Sequence, residues 1–224
     1  MKKCIVLPLI VMIIGGCASA DIKRPQREFN FNEFTGLVSK QVKAYEDVVL
    51  DYELDDTSGK TIHLKSCRQV DSIREDQILS SEYELYKILS HNCAAIKLYI
   101  EKGGPAKSSF FPERLTKELI SEFPAVAGPR ISRYSLEQRA GKTLKEYEPV
   151  FEVVSVDKNT VEVMTENYEL TYLIMAKADF NVDGYEDLLV AVRWHVRDAF
   201  GKGADLFILE KKSLDYPITL TWRY

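Results

Sequence analysis

The densest run of oxygen-bearing side chains is Asp179-Phe180-Asn181-Val182-Asp183-Gly184-Tyr185-Glu186-Asp187. Counted from Asp179, side-chain oxygens fall at positions 1, 3, 5 and 9, with glycine at 6. Gly184 can take backbone angles that a side chain disfavours, so a tight loop can turn its acids inward, and the Tyr185 carbonyl adds another oxygen. That donor set suits a hard cation, calcium above all. The expected ligands are Asp179, Asn181, Asp183 and Asp187 through side chains and Tyr185 through its backbone. Affinity on the order of 10⁻⁴ to 10⁻³ M, as in extracellular modules, would make the ion a stiffener of the hairpin. The same residues also suit a polar loop in which Asp and Asn cap backbone groups and no metal binds.

Other chemistry finds little footing. His63, His91 and His195 stand in no His-Glu-x-x-His pattern and near no cysteine pair, which leaves zinc unsupported. No Gly-x-Ser-x-Gly elbow occurs, and the glycines build no phosphate-cradling loop. His195 follows Trp194 on a strand and could line a surface groove, although a structural histidine is the commoner outcome. The tyrosines, Trp194 and Trp222 are more often core or sheet surface than binding platforms.

The amino terminus has a basic start (Lys2, Lys3), an apolar run from Ile5 to Ile14, and the small residues Gly15 and Gly16 before Cys17. The apolar run falls well short of the roughly 20 residues a spanning helix needs, so residues 1–16 read as an export signal. Ile14-Gly15-Gly16-Cys17 resembles the lipobox of bacterial lipoproteins. The resemblance implies that the Cys17 thiol carries a lipid, that the signal is cut before it, and that the new amino group is acylated. Ala18, in place of the aspartate that holds enterobacterial lipoproteins in the inner membrane, implies the outer membrane with the domain facing the periplasm. Cys4 leaves with the signal and Cys17 is taken by lipid, so only Cys67 and Cys93 remain. In an oxidising compartment they have one possible pairing, which would stabilise the fold by roughly 3 to 4 kcal/mol; two buried reduced thiols are the alternative.

The acidic loop departs from an EF-hand, because position 12 is Val190 instead of a bidentate glutamate and strands flank it. It resembles the compact calcium loop of FG-GAP repeats in integrin-type propellers, where the acid at position 9 closes the site. A single copy implies no propeller. Cys67, Asn92-Cys93-Ala94 and the late DFNVDGYEDLL loop together resemble a group of exported proteobacterial proteins without an assigned activity, which adds no chemistry.

The elements that must position these residues follow from periodicity. Residues 17–30 are polar and read as a lipidated tether, and residues 31–224 as one α+β domain. In its helical half, about 31–125, Phe34, Leu37, Val38, Gln41, Val42 and Tyr45 recur at helical spacing. Leu50 to Leu54 and Ile62 to Leu64 alternate as a hairpin. Ser81-x-x-Glu84 has the form of a capping box opening a helix that breaks near His91-Asn92 and resumes from Cys93 to Lys102. A further helix is expected from Pro112 to Phe123. From Val150 the period drops to two, and six strands form an antiparallel meander over about 148–224. One face of the third carries Tyr168, Leu170, Tyr172, Ile174 and Ala176; one face of the fourth carries Leu188, Val190, Val192, Trp194 and Val196.

The formal charge of -4 becomes about -6 without Lys2 and Lys3, which argues against nucleic acid as a partner. The expectation is a non-catalytic, lipid-anchored module that binds a protein partner in the envelope, in one version an immunity-type inhibitor of a toxic effector. The alternatives are an envelope hydrolase with a site around His195 and the acidic loop, or a structural envelope lipoprotein.

Overall fold

The computed structural model describes residues 27–224. The export signal, Cys17 and residues 18–26 of the tether lie outside the described residues. The elements are β1 (Glu28–Phe29), β2 (Val49–Asp55), β3 (Thr61–Ser66), α1 (Cys67–Ser72), α2 (Tyr83–Lys102), α3 (Lys117–Ser121), α4 (Arg133–Arg139), α5 (Leu144–Tyr147), β4 (Phe151–Val156), β5 (Thr160–Thr165), β6 (Tyr168–Ala178), β7 (Asp187–Val196), β8 (Lys202–Glu210) and β9 (Thr219–Arg223). The class is α+β, with a mostly antiparallel sheet in the carboxyl half.

The large sheet runs in the order β4-β5-β6-β7-β8-β9, and β1 pairs with the far end of β6. Strands β6 and β7 pair over nearly their whole length. Side chains alternate across a strand, so β7 sends Leu188, Val190 and Val192 to one core and Leu189 and Ala191 to the other. The first core lies between the sheet and α2, together with the β2–β3 hairpin; Leu89, Cys93 and Ile96 of α2 are buried there against Leu206 and Ile208 of β8. The second lies on the opposite face, under Leu115, Leu119, Ile120, Phe123 and Leu144. A bulge between Ile174 and Ala176 shifts the register of β6. As a result Ala176 joins the α2 core and leaves the face of Leu170, Tyr172 and Ile174.

Several expectations are corrected. Residues 31–45 form no α-helix: short 3-10 turns occupy Phe31–Glu33 and Tyr45–Asp47, and Leu37 and Val38 lie against β2. Gly36 has φ +76, and a Cβ there would stand 3.1 Å from the Tyr52 ring, so the chain turns where a helix would have to continue. Helix α2 runs unbroken through His91 and Asn92, both buried, and starts at Tyr83 with no side-chain cap. The Pro112–Phe123 helix shrinks to α3, capped by the Thr116 hydroxyl, which accepts from Leu119 N–H. At the amino end, Phe29 is buried and pairs with Ala176 while Arg27 donates to the Gly103 carbonyl, so residues 27–30 are part of the folded body.

Cys67, at the start of α1, and Cys93, mid-way along α2, have their sulfurs 2.00 Å apart, at bonding distance, with both residues buried. Closing that 26-residue separation is worth about 3.5 kcal/mol on the loop-entropy relation. Cys67→Ala/Cys93→Ala should therefore melt on the order of 10 °C lower in calorimetry. Thiol labelling of the native protein should find both sulfurs blocked.

Candidate functional site

The acidic loop joins the buried ends of β6 and β7. Asp179 Oδ1 accepts from Val182 N–H (2.7 Å) and Asp183 N–H (3.2 Å), and Oδ2 accepts from Gly184 N–H (2.8 Å). Asn181 Oδ1 accepts from Asp183 N–H at 2.9 Å and Asp183 Oδ1 from Tyr185 N–H at 3.0 Å. Gly184 has φ +91, the angle the loop reading requires of it. The segment after α2 clamps the loop: Lys107 N–H donates to Gly184 C=O at 2.8 Å, and Ser109 Oγ donates to Glu186 at 2.7 Å. The structure thus gathers Asp179, Asn181, Asp183, Tyr185 and Asp187 into one turn, with most side-chain oxygens engaged by backbone N–H groups.

Asp187 is the exception. It is 0% exposed; Oδ2 accepts from Phe180 N–H at 2.9 Å and Oδ1 has no partner. Burial, followed by the charges of Glu210, Asp183 and Asp179, pushes its pKa up to about 7. Glu210, at the end of β8, accepts from Asn181 Nδ2, and the Lys212 ammonium lies 3.1 Å from both Glu210 and Asp183. Among the described residues no three His, Cys, Asp or Glu side chains converge closely enough to hold a metal on their own. A calcium site here therefore also draws on Asn181 and a carbonyl, and on some turning of Asp183 away from Lys212.

A second feature was not visible in the sequence. A cleft of 420 Å³ opens between the first turns of α2, the start of β8 and Arg130. Trp194 forms part of its wall, and its ring lies over Gly203, where a Cβ would stand 2.4 Å from the indole. His91 is 4% exposed, meets Tyr224 edge-on at 5.5 Å, and leaves Nδ1 without a partner. Burial, then the charges of Lys87 and Arg130, lowers its pKa to about 3. Such an imidazole stays neutral and is a poor proton acceptor near neutral pH.

The cleft carries unbalanced positive charge. Lys87 pairs with Glu75 and Lys202 with Glu84, but the buried Asp205 carboxylate serves two guanidiniums, Arg130 at 3.7 Å and Arg223 at 3.6 Å. The Arg130 side chain is half-exposed, and its Nε stands 3.7 Å from Asp205, too far for a hydrogen bond. Its fork of N–H groups is free for an anion.

His195 sits near this cleft, half-exposed, with Nε2 3.4 Å from Glu84. Asp187 and His195 stand near opposite ends of β7, about 27 Å apart at a rise of about 3.4 Å per residue. The structure does not bring His195 and the acidic loop into one site. No family model matches the chain, and no similar curated protein or similar solved structure is found.

The His91 environment has a measurable consequence. The unfolded imidazole takes up a proton near pH 6.5, the buried one only near 3, so between these values the unfolded state binds more protons. The contribution is complete above pH 6.5 and is lost as pH falls towards 3. Urea unfolding at pH 7.5 and 5.0 should show wild type losing up to about 2 kcal/mol more than His91→Phe over that interval. Equal losses would mean that His91 is not held neutral.

Proposed function

We propose that this protein is a non-catalytic binding module, held by lipid on Cys17 at the periplasmic face of the outer membrane, that receives an acidic segment of an envelope protein in the cleft beside Arg130. The observation that carries the reading is the uncompensated guanidinium. One carboxylate between two arginines leaves a charge that a partner's Asp or Glu can meet in bidentate geometry. Tyrosine, tryptophan and arginine around one pocket are also the residue types that dominate binding energy at protein interfaces. Masking of a toxic effector by an immunity-type inhibitor is one concrete form of this activity, since such a task needs only tight occupation of a complementary surface. The buried, neutral His91 favours binding over turnover.

In the same reading the Asp179–Asp187 loop takes calcium through Asp179, Asn181, Asp183, Asp187 and the Tyr185 carbonyl. The ion stiffens the link between β6 and β7, and the unpartnered Asp187 oxygen supports that assignment.

Affinity capture from solubilised envelopes tests the cleft. Arg130→Glu should reduce recovery of the partner at least tenfold while the protein still unfolds cooperatively, and poly-glutamate should compete with the wild type. Arg133→Glu, on the exposed α4, should capture normally. Undiminished capture by Arg130→Glu would refute this use of the cleft. Intact-mass analysis of the processed protein should show an acylated Cys17 as its first residue, and an unmodified amino end would remove the anchor.

A further inference from the structure

We infer that Glu210 is a ligand of the loop's cation site and that Lys212 is its built-in competitor. This rests on the calcium reading of the loop and adds to it two residues outside the loop. Position 12 cannot close the site, because Val190 is fully buried in the second core. The missing carboxylate comes from the neighbouring strand. Leu188 pairs with Leu209, so the next residues outward, Asp187 and Glu210, stand side by side at the end of the β7–β8 ladder. Both are buried, and like charges directly opposite in a ladder repel each other.

The unsatisfied group shows where the counter-charge belongs. Asp187, whose Oδ1 has no partner and is shielded from solvent, lines a 170 Å³ cavity together with Asn181, Glu210 and Lys102. Asp179, Asp183, Asp187 and Glu210 surround this end of the sheet, and the ammonium that meets them, Lys212, touches only Asp183 and Glu210. Lys102 also lines the cavity, so two ammonium groups, Lys212 and Lys102, stand among four carboxylates. A divalent cation reaching Asp187 Oδ1, Asp183, Glu210, Asn181 and the Tyr185 carbonyl would have an all-oxygen set that water completes, as calcium requires. Lys212 is 44% exposed at its side chain, so it can leave for solvent when the ion enters. It competes for the same two carboxylates without reaching Asp187.

Terbium luminescence sensitised by Trp222, which lines the same cavity, reads occupancy, and calcium displacement gives the affinity. Full-length wild type, Glu210→Gln and Lys212→Met are compared, with melting curves to verify folding and Glu210→Asp as a milder second variant. Glu210→Gln should weaken calcium binding about tenfold or more, and Lys212→Met should tighten it about threefold or more. Binding by Lys212→Met alone would also support the inference. If wild type binds and all three variants match it, Glu210 and Lys212 lie outside the site while the loop reading stands. If neither wild type nor Lys212→Met responds at millimolar calcium, the loop reading falls and the inference with it.

Discussion

Burial of β6 and β7 on both faces is the constraint from which the rest of the molecule follows. A strand with one wet face can end in a solvated turn, but here the last residues of β6 and the first of β7 are still inside the protein. Asp179 is 5% exposed and Asp187 0%. Oxygens at such positions need partners, because an unpaired buried polar group costs about 1–3 kcal/mol. The loop meets this demand by bending its own backbone N–H groups onto Asp179, Asn181 and Asp183, which is why Val182 and Gly184 take positive φ. What the backbone cannot reach is Asp187 Oδ1. An apolar residue there would avoid the cost; Asp187 instead keeps a half-satisfied carboxylate close to the charges of Glu210 and Asp183.

The acidic loop and the cleft have opposite electrostatic character. At the loop four carboxylates stand near two lysines, Lys212 and Lys102. At the cleft Arg130 and Arg223 share Asp205, and Lys87 and Lys202 stand nearby in pairs. Asp205 lies opposite Val192, about 17 Å along β7 from Asp187 at a rise of about 3.4 Å per residue, beyond the reach of exposed charges in physiological salt. The acidic loop and the cleft are therefore separate features of one sheet. A single catalytic centre spanning both has no geometric basis.

The sheet was legible and the cleft was not, for a physical reason. Alternation in β4 to β9 is a local signal, since each residue's face is set by its neighbours, and the six-strand order followed from short connections. The bulge after Ile174, in the β6–β7 ladder, broke that rule for Ala176. Residues 31–45 mimic a helix because a chain wrapped irregularly around a core also returns an apolar side chain every three or four residues; Gly36 was the contrary sign. Capping boxes show the same ambiguity. Ser81 and Glu84 have the pattern without the bonds, whereas Thr143 and Glu146 make both reciprocal bonds at the start of α5. The acidic loop was readable as a contiguous string, but Glu210 and Lys212 join it only through strand pairing. The cleft takes residues from α2, Arg130, β7, β8 and the end of β9, and no spacing rule links them.

Helix α2 buries polar residues that a helix core normally excludes. Ser90, His91 and Asn92 are all buried, which in a sequence reads as a break. The next residue is Cys93, bonded to Cys67, and Leu89 and Ile96 are fully buried around them. Cross-linking and packing fix the helix so firmly that a neutral imidazole can be held in the cleft wall with one nitrogen unpaired. A partner that docks against this wall does not have to order it first, and the conformational entropy that usually opposes association is already spent in folding. Arg130 is the contrasting part: it arrives on a loop, stays half-exposed, and supplies the adaptable charge that a rigid aromatic wall lacks.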